Sequence, residues 1–207
     1  MKMEDCTSLD PVSAGKRESG DDRRLAVAKA AREIIVEKGL EGLRTRDIAA
    51  RVGINIATLH YHVPSKEALI ALVAESIRFD FRAQSLRNPR HGRTGLEQLH
   101  MEFDDFRETT REMPELIIIL TELVERARRD AAIAGIVLPM HRFWRGQFAD
   151  IFRLGVADGS FRPNLDPEAA AMIVTGALSD CWRRPDTSPS AIEEALAELE
   201  RAFIQAQ

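Results

Sequence analysis

Between Thr45 and Lys66 the chain concentrates side chains suited to a polyanion. Arg46 has a guanidinium that can pair bidentately with guanine, and Thr45, Thr58, Tyr61, His62 and Lys66 offer hydroxyl, imidazole and ammonium donors of the kind that hold phosphates. Asn55 and His60 can reach a base edge, whereas Ile56 and Ala57 can read only methyl groups and shape. Such a set works only if local elements hold it on one surface. The spacing supplies them: Thr45 is placed to cap a first short helix, with Ile48, Ala49 and Val52 on its inner face. Gly53 ends that helix, and Asn55 can cap a second one through His62. Pro64, Ser65, Lys66 and Glu67 close the second helix and open a longer third. Two helices crossing at a glycine turn form a helix-turn-helix, whose second helix can enter a major groove.

Charge follows the same division. Asp21 to Lys66 holds nine Lys or Arg against six acids, a net +3, while residues 67 to 207 carry −6 and the whole chain −4. Attraction for phosphate is therefore confined to the first third, and the acidic remainder would be repelled by DNA. On charge alone, a solvated mixed surface is an equal reading of so small an excess.

The run TRDIAARVGI, followed three residues later by TLHYHVPSKEAL, closely resembles the DNA-binding domain of the tetracycline-repressor (TetR) family of bacterial transcription regulators. Thr45, Gly53, Thr58, Leu59, Tyr61, His62, Ser65 and Lys66 fall in the family's order and spacing; the chain departs at His60, where many members carry Tyr, and at Val63, where many carry Phe. The resemblance implies an all-α fold: three small helices holding DNA, a connector, and five helices that sense a ligand and dimerise. It implies Arg46 as a base-reading residue, the alternative being a surface arginine facing Asp47. Asn55, Ile56, Ala57 and His60 would then carry sequence preference, and Thr45, Thr58, Tyr61, His62 and Lys66 the phosphate contacts. His62 is equally readable as a satisfied core residue.

The rest of the chain reads as helix throughout. Residues 1–20 mix Gly, Ser, Pro and charge and read as a disordered arm; residues 21–66 read as the DNA-binding domain and 67–207 as the effector-binding and dimerisation domain. Leu25, Ala28, Ala31, Ile34, Ile35 and Leu40 predict a first helix ending near Gly39, and the helix from Ser65 runs on as the connector, with the break from Asn88 to Gly95 after it. Beyond it, helices are predicted from Leu96 to Glu112, from Pro114 with Leu116, Ile117, Leu120 and Leu123 inward, and over about Ala131 to Ala157 with a kink at Pro139. Two more run from Pro167 to Arg184 and from Pro189 to Ala206. Ala170, Val174, Ala177 and Cys181 make a small-residue stripe on the first of these, and Ile192, Ala195, Leu199 and Phe203 a matching stripe on the last. In relatives these two helices form a four-helix bundle with a second chain; burial within one chain is the other reading.

Phe103, Phe106, Met140, Trp144, Phe148 and Trp182, together with Met113, Phe143 and Met172, are large side chains in the helices that enclose the effector in relatives, and are the candidate ligand-binding wall. His100 and Asp104 lie one turn apart without further ligands at recognisable spacing, so no metal or other cofactor is expected. An enzyme is the competing class, yet the chain has no phosphate-cradling glycine loop, Gly-x-Ser-x-Gly, Cys-x-x-Cys or His-Glu-x-x-His, and His141 and Cys181 stand isolated. A purely architectural DNA binder would need more positive surface than this acidic body offers. With no apolar run long enough to span a bilayer and only Cys6 and Cys181 as cysteines, a cytoplasmic location is expected. The expected protein is a homodimeric repressor that binds a palindromic double-stranded operator and is released by an unidentified small molecule.

Overall fold

Nine α-helices and one short 3-10 turn make up residues 20–184 and 187–204, which the computed structural model describes; no strand occurs among them. In chain order the helices are α1 (Gly20–Lys38), α2 (Thr45–Val52), α3 (Ile56–His62), α4 (Lys66–Arg87), α5 (Gly95–Glu112), α6 (Pro114–Ala127), α7 (Ala131–Asp158), α8 (Pro167–Arg183) and α9 (Pro189–Phe203). The arm expected over residues 1–20 lies outside the described residues except for Gly20, which opens α1.

Side-chain caps begin most of these helices. The Asn55 carboxamide accepts from the Thr58 amide at 2.7 Å and the Ser65 hydroxyl from the Ala68 amide at 3.1 Å. Asp130, Asp166 and Ser188 cap α7, α8 and α9, and Thr94 with Glu97 forms a reciprocal capping box on α5. Thr45 is not a cap: α2 starts at Thr45 itself, with Arg44 in the cap position and no side-chain bond there. Gly53 ends α2 at φ 74°, a left-handed conformation that a side chain would strain, and its amide bonds back toward Ala49 and Ala50.

Two apolar cores result, and the first reaches across the molecule. It joins α1, α2, α3 and the first half of α4 to Leu116, Ile119 and Leu123 of α6 and to Ile133 and Val137 of α7. Ile119, rather than Ile117, completes the α6 stripe, since Leu116, Ile119 and Leu123 keep the three- and four-residue spacing of one face. Leu25 does not join α1's buried face; it shares the exposed side with Lys29 and Val36 and is 63% exposed. Polar contacts reinforce the junction: Arg32 reaches Asp80 at 2.6 Å, Glu122 accepts from the Leu40 amide at 3.3 Å, and Arg126 pairs with Glu41.

The second core packs Leu99, Phe103 and Phe106 of α5 against α7, α8, α9 and Phe161 of the α7–α8 loop. Here α5 and α7 cross at two glycines. A Cβ on Gly95 would sit 2.3 Å from the Gly155 Cα, and one on Gly155 would meet the Phe161 ring at 1.9 Å, so both positions require hydrogen as a side chain. Ala170, Val174, Ile192 and Phe203 are buried in this core within the chain. These residues face inward because α8 and α9 need them to cover α5 and α7. Ala177, Cys181, Ala195 and Leu199 are half-buried, and the outer face of α8 shows Met172, Ile173 and Gly176.

Candidate nucleic-acid interface and ligand cavity

Folding of α2 and α3 over Ile48, Ala49 and Leu59 leaves the polar side chains of the motif outward. Asn55, Ile56, Ala57, His60 and Tyr61 are exposed along α3, Thr58 and His62 half-buried. Tyr61 is 84% exposed, an orientation with no packing role, and its ring meets His62 edge-on at 5.2 Å. Because the Asn55 oxygen is used as the helix cap, the face it offers outward is its amide N–H pair. Arg46 extends from the start of α2 with its side chain 80% exposed and only a 3.8 Å approach to Asp47, whose other oxygen is 3.4 Å from Lys38. Lys66 is exposed at the first turn of α4, and Thr45 is half-buried at the start of α2. A cleft between α1 and α3 brings Asn55, Ala57, Thr58, Tyr61 and His62 together with Gly20 and Arg23. Arg23 went unremarked in the motif because it lies on another helix, more than thirty residues upstream; only the tertiary fold brings it to the same face.

In the body, α4, α5, α6, α7 and α8 enclose a cavity of about 1210 Å³, open at one side. Phe106, Met140, Trp144, Phe148 and Trp182 all line it. Phe103 does not, being buried in the second core behind the wall. The rings form an ordered group: Trp182 stacks on Phe106 (centroids 5.1 Å, planes 11° apart) and on Trp144 (5.7 Å, 7°), and Phe148 and His141 meet Trp144 edge-on. The Trp182 indole N–H donates to the Thr110 hydroxyl at 3.3 Å, fixing the middle ring of the stack. Phe79, Phe143 and Met172 stand exposed among the lining residues, a large apolar rim for a water-facing position.

The opposite wall is polar. Gln84, buried on α4, donates to the Asp105 carbonyl at 2.9 Å and to Glu108 at 3.2 Å, and accepts from the Thr109 hydroxyl at 3.3 Å. Arg90 pairs with Glu102 and, at 3.3 Å, with Asp105. Burial pushes the Glu102 and Asp105 carboxyls above the usual carboxylate range despite Arg90, and burial with the nearby Arg145 holds His141 below the usual imidazole range. Gln84 was missed from sequence because a lone Gln in a helical pattern carries no signal of burial. Elsewhere, His100 pairs with Glu200 at 3.0 Å and Asp104 with Arg107 at 2.8 Å. Among the described residues no three His, Cys, Asp or Glu converge as metal ligands. Burial raises the Cys181 thiol, the opposite of what an activated nucleophile needs.

A helix-turn-helix joined by one long helix to an all-helical body that holds a cavity is the architecture of a DNA-binding regulator. The family model for bacterial regulatory proteins of the tetR family matches residues 27–73. The transcriptional repressor KstR2 of Mycolicibacterium smegmatis is 27% identical over 79% of this chain and 80% of its own length. The class D tetracycline repressor of Escherichia coli is 43% identical over 54 residues, 26% of this chain and 25% of that protein. Among solved structures, a TetR-family regulator from Agrobacterium tumefaciens superposes with a TM-score of 0.78 at 17% identity, over 90% of this chain and all of that one. By these likenesses the chain is similar to TetR-family transcriptional regulators, with the match to the family model lying over residues 27–73. No helix among the described residues is long and apolar enough to cross a membrane.

Proposed function

We propose that this protein is a cytoplasmic, non-enzymatic repressor that binds a palindromic operator as a homodimer and leaves it when a small molecule fills the cavity of the body. Residues 21–66 are the reading head in this view and 67–207 the body. The observation that carries the reading is the double role of α4. Its first half, with Leu69, Ile70, Val73 and Ile77, is part of the head's core, and its second half, from Glu75 to Leu86, lines the cavity. A ligand that prefers one placement of α4 therefore has a rigid route to Lys66 and α3, and shifts DNA affinity by its differential affinity for the two placements. Arg46, Asn55, Ile56, Ala57 and His60 are the residues proposed to read bases. Thr45, Thr58, Tyr61, His62 and Lys66 are proposed to hold phosphates, which their exposed or half-exposed positions permit. Phe106, Met140, Trp144, Phe148 and Trp182 form the proposed ligand wall. The outward face of α8 around Met172 and Ile173, with the half-buried Ala177, Cys181, Ala195 and Leu199, is the proposed dimer contact.

The test is selection of bound duplexes from random DNA followed by footprinting. Two inverted half-sites with centres about 34 to 36 Å apart, or a multiple of it, are expected from two-fold helix-turn-helix geometry. Enrichment of a single half-site protected by monomers would overturn the dimeric reading, and no enrichment at all would overturn sequence-specific binding.

A further inference from the structure

The cavity is lined by five carboxylates and five guanidiniums, and only two of the guanidiniums, Arg90 and Arg183, pair with carboxylates of the lining. Every carboxylate has a guanidinium partner. Glu102 and Asp105 share Arg90, Glu125 faces Arg183 at 3.8 Å, and Glu75 and Asp180 pair with Arg24 and Arg184, which are not lining residues. Three lining arginines are left, Arg78, Arg82 and Arg145, with neither a hydrogen bond nor a carboxylate partner among the described residues. Arg78 and Arg82 are four residues apart on α4, so they share a face, and Arg145 comes from α7, which packs against α4. The same cavity is lined by the apolar side chains of Met140, Trp144, Phe148 and Trp182, the first three on the helix that carries Arg145.

Building on the sensor reading above, we infer that the effector is an amphipathic organic anion, with an apolar body on the aromatic wall and a carboxylate or phosphate head held by Arg78, Arg82 and Arg145. A guanidinium has a planar fork of donors that matches either head, and a desolvated apolar wall beside it favours a ligand carrying both parts. A cationic ligand finds less to bind. The carboxylates that would attract it are already paired, and the Trp182 ring that would offer it a π face is stacked on both Phe106 and Trp144. His141, whose imidazole burial and the nearby Arg145 hold below the usual range, adds hydrogen-bonding capacity to the site.

The chain contains two tryptophans, Trp144 and Trp182, and both line the cavity, so intrinsic fluorescence reports occupancy of this site. Full-length protein is titrated with decanoate, decyl phosphate, decan-1-ol and decyltrimethylammonium, each below its micelle concentration, while release of a labelled selected operator is followed in parallel. At least one of the two anions is expected to bind about tenfold or more tighter than the alcohol, and the preferred anion identifies the head group. The triple variant Arg78→Gln, Arg82→Gln, Arg145→Gln should lose that preference while keeping its affinity for decan-1-ol within about twofold; Arg82→Lys alone, which preserves the charge, should retain most of it. Equal affinity for the alcohol, tightest binding of the cation, or a triple variant that keeps its preference overturns the anion assignment. The two readings fail separately. An anion that binds with the expected preference but leaves the operator occupied defeats the sensor reading alone, whereas release driven equally by the alcohol defeats the anion assignment alone.

Discussion

Lys66 stands exposed at the first turn of α4 with no carboxylate bound to it among the described residues, while Arg46 stands exposed on α2 beside Asp47, and the two are expected to fail differently. Lys66→Ala should weaken binding to all duplexes by a similar factor and reduce the magnitude of the salt slope by about 1, because one phosphate contact is lost. Arg46→Ala should cost about 1 to 3 kcal/mol at a single base position and relax preference there. Competition binding against a library of single-base operator variants separates the two; uniform loss for Arg46→Ala would make it a backbone contact. A second residue-scale prediction concerns Glu102. Burial raises its carboxyl from an unfolded value of 4.5, so the folded chain holds that proton more tightly. Its contribution to stability is therefore complete below about pH 4.5 and declines as pH rises through the higher folded value. Glu102→Gln should gain stability relative to the parent as pH rises above about 4.5, measured as the difference in urea midpoints; a difference that does not change with pH would remove Glu102 as the cause.

Among the elements, the crossing of α5 and α7 is the most sensitive to a single methyl group. Gly95→Ala places a Cβ against the Gly155 backbone, where nothing flexible can give way, and should destabilise by about 1 to 3 kcal/mol. Gly135→Ala, in α7 with nothing within 4 Å of its new Cβ, should be neutral or stabilising by up to about 1 kcal/mol. Thermal and urea denaturation of the two variants gives the contrast, and equal behaviour would mean that the crossing relaxes freely. Sequence pattern revealed the helices themselves with good boundaries, because Asn55, Ser65, Asp166 and Pro167 act locally, through caps and a fixed φ, within a few residues of each helix start. It left the reading open where the outcome depended on distant partners. The stripe from Ala170 to Cys181 has the same spacing whether it covers a neighbouring helix or a second chain, and only the packing of α5 and α7 turned Ala170 and Val174 inward. Phe103 and Phe106 are equally apolar and three residues apart, but Phe106 alone reaches the cavity, a distinction of rotation that composition does not encode. Gln84 carries no signal for a related reason: a polar residue on a long helix is ordinary until the neighbouring helices close over it, whereas Arg78 and Arg82 stay exposed at the edge of the cavity.

At the scale of the molecule, Ile173 lies on the outer face of α8, 54% exposed beside Met172, where a β-branched apolar side chain gains nothing in the monomer. Ile173→Glu should shift the protein toward monomer and reduce operator affinity while leaving the melting transition of the monomeric unit intact; sedimentation velocity over a concentration series would show it, and an unchanged dimer would move the interface off this face. A different consequence follows from the reach of the first core. Because Leu116, Ile119 and Leu123 of α6 and Ile133 and Val137 of α7 fill the interior of the head, the DNA-reading part is not an exchangeable cassette. A chimera that grafts residues 21–66 onto another body keeps the recognition helix but loses the faces on which α1 and α4 are built. Successful recombination between such regulators would have to carry matching faces of α6 and α7 along with the head. If α3 reads the operator as proposed, its preference is free to evolve by substitution on the surface of that helix, whereas transfer of residues 21–66 to another chain is constrained by packing more than forty residues downstream.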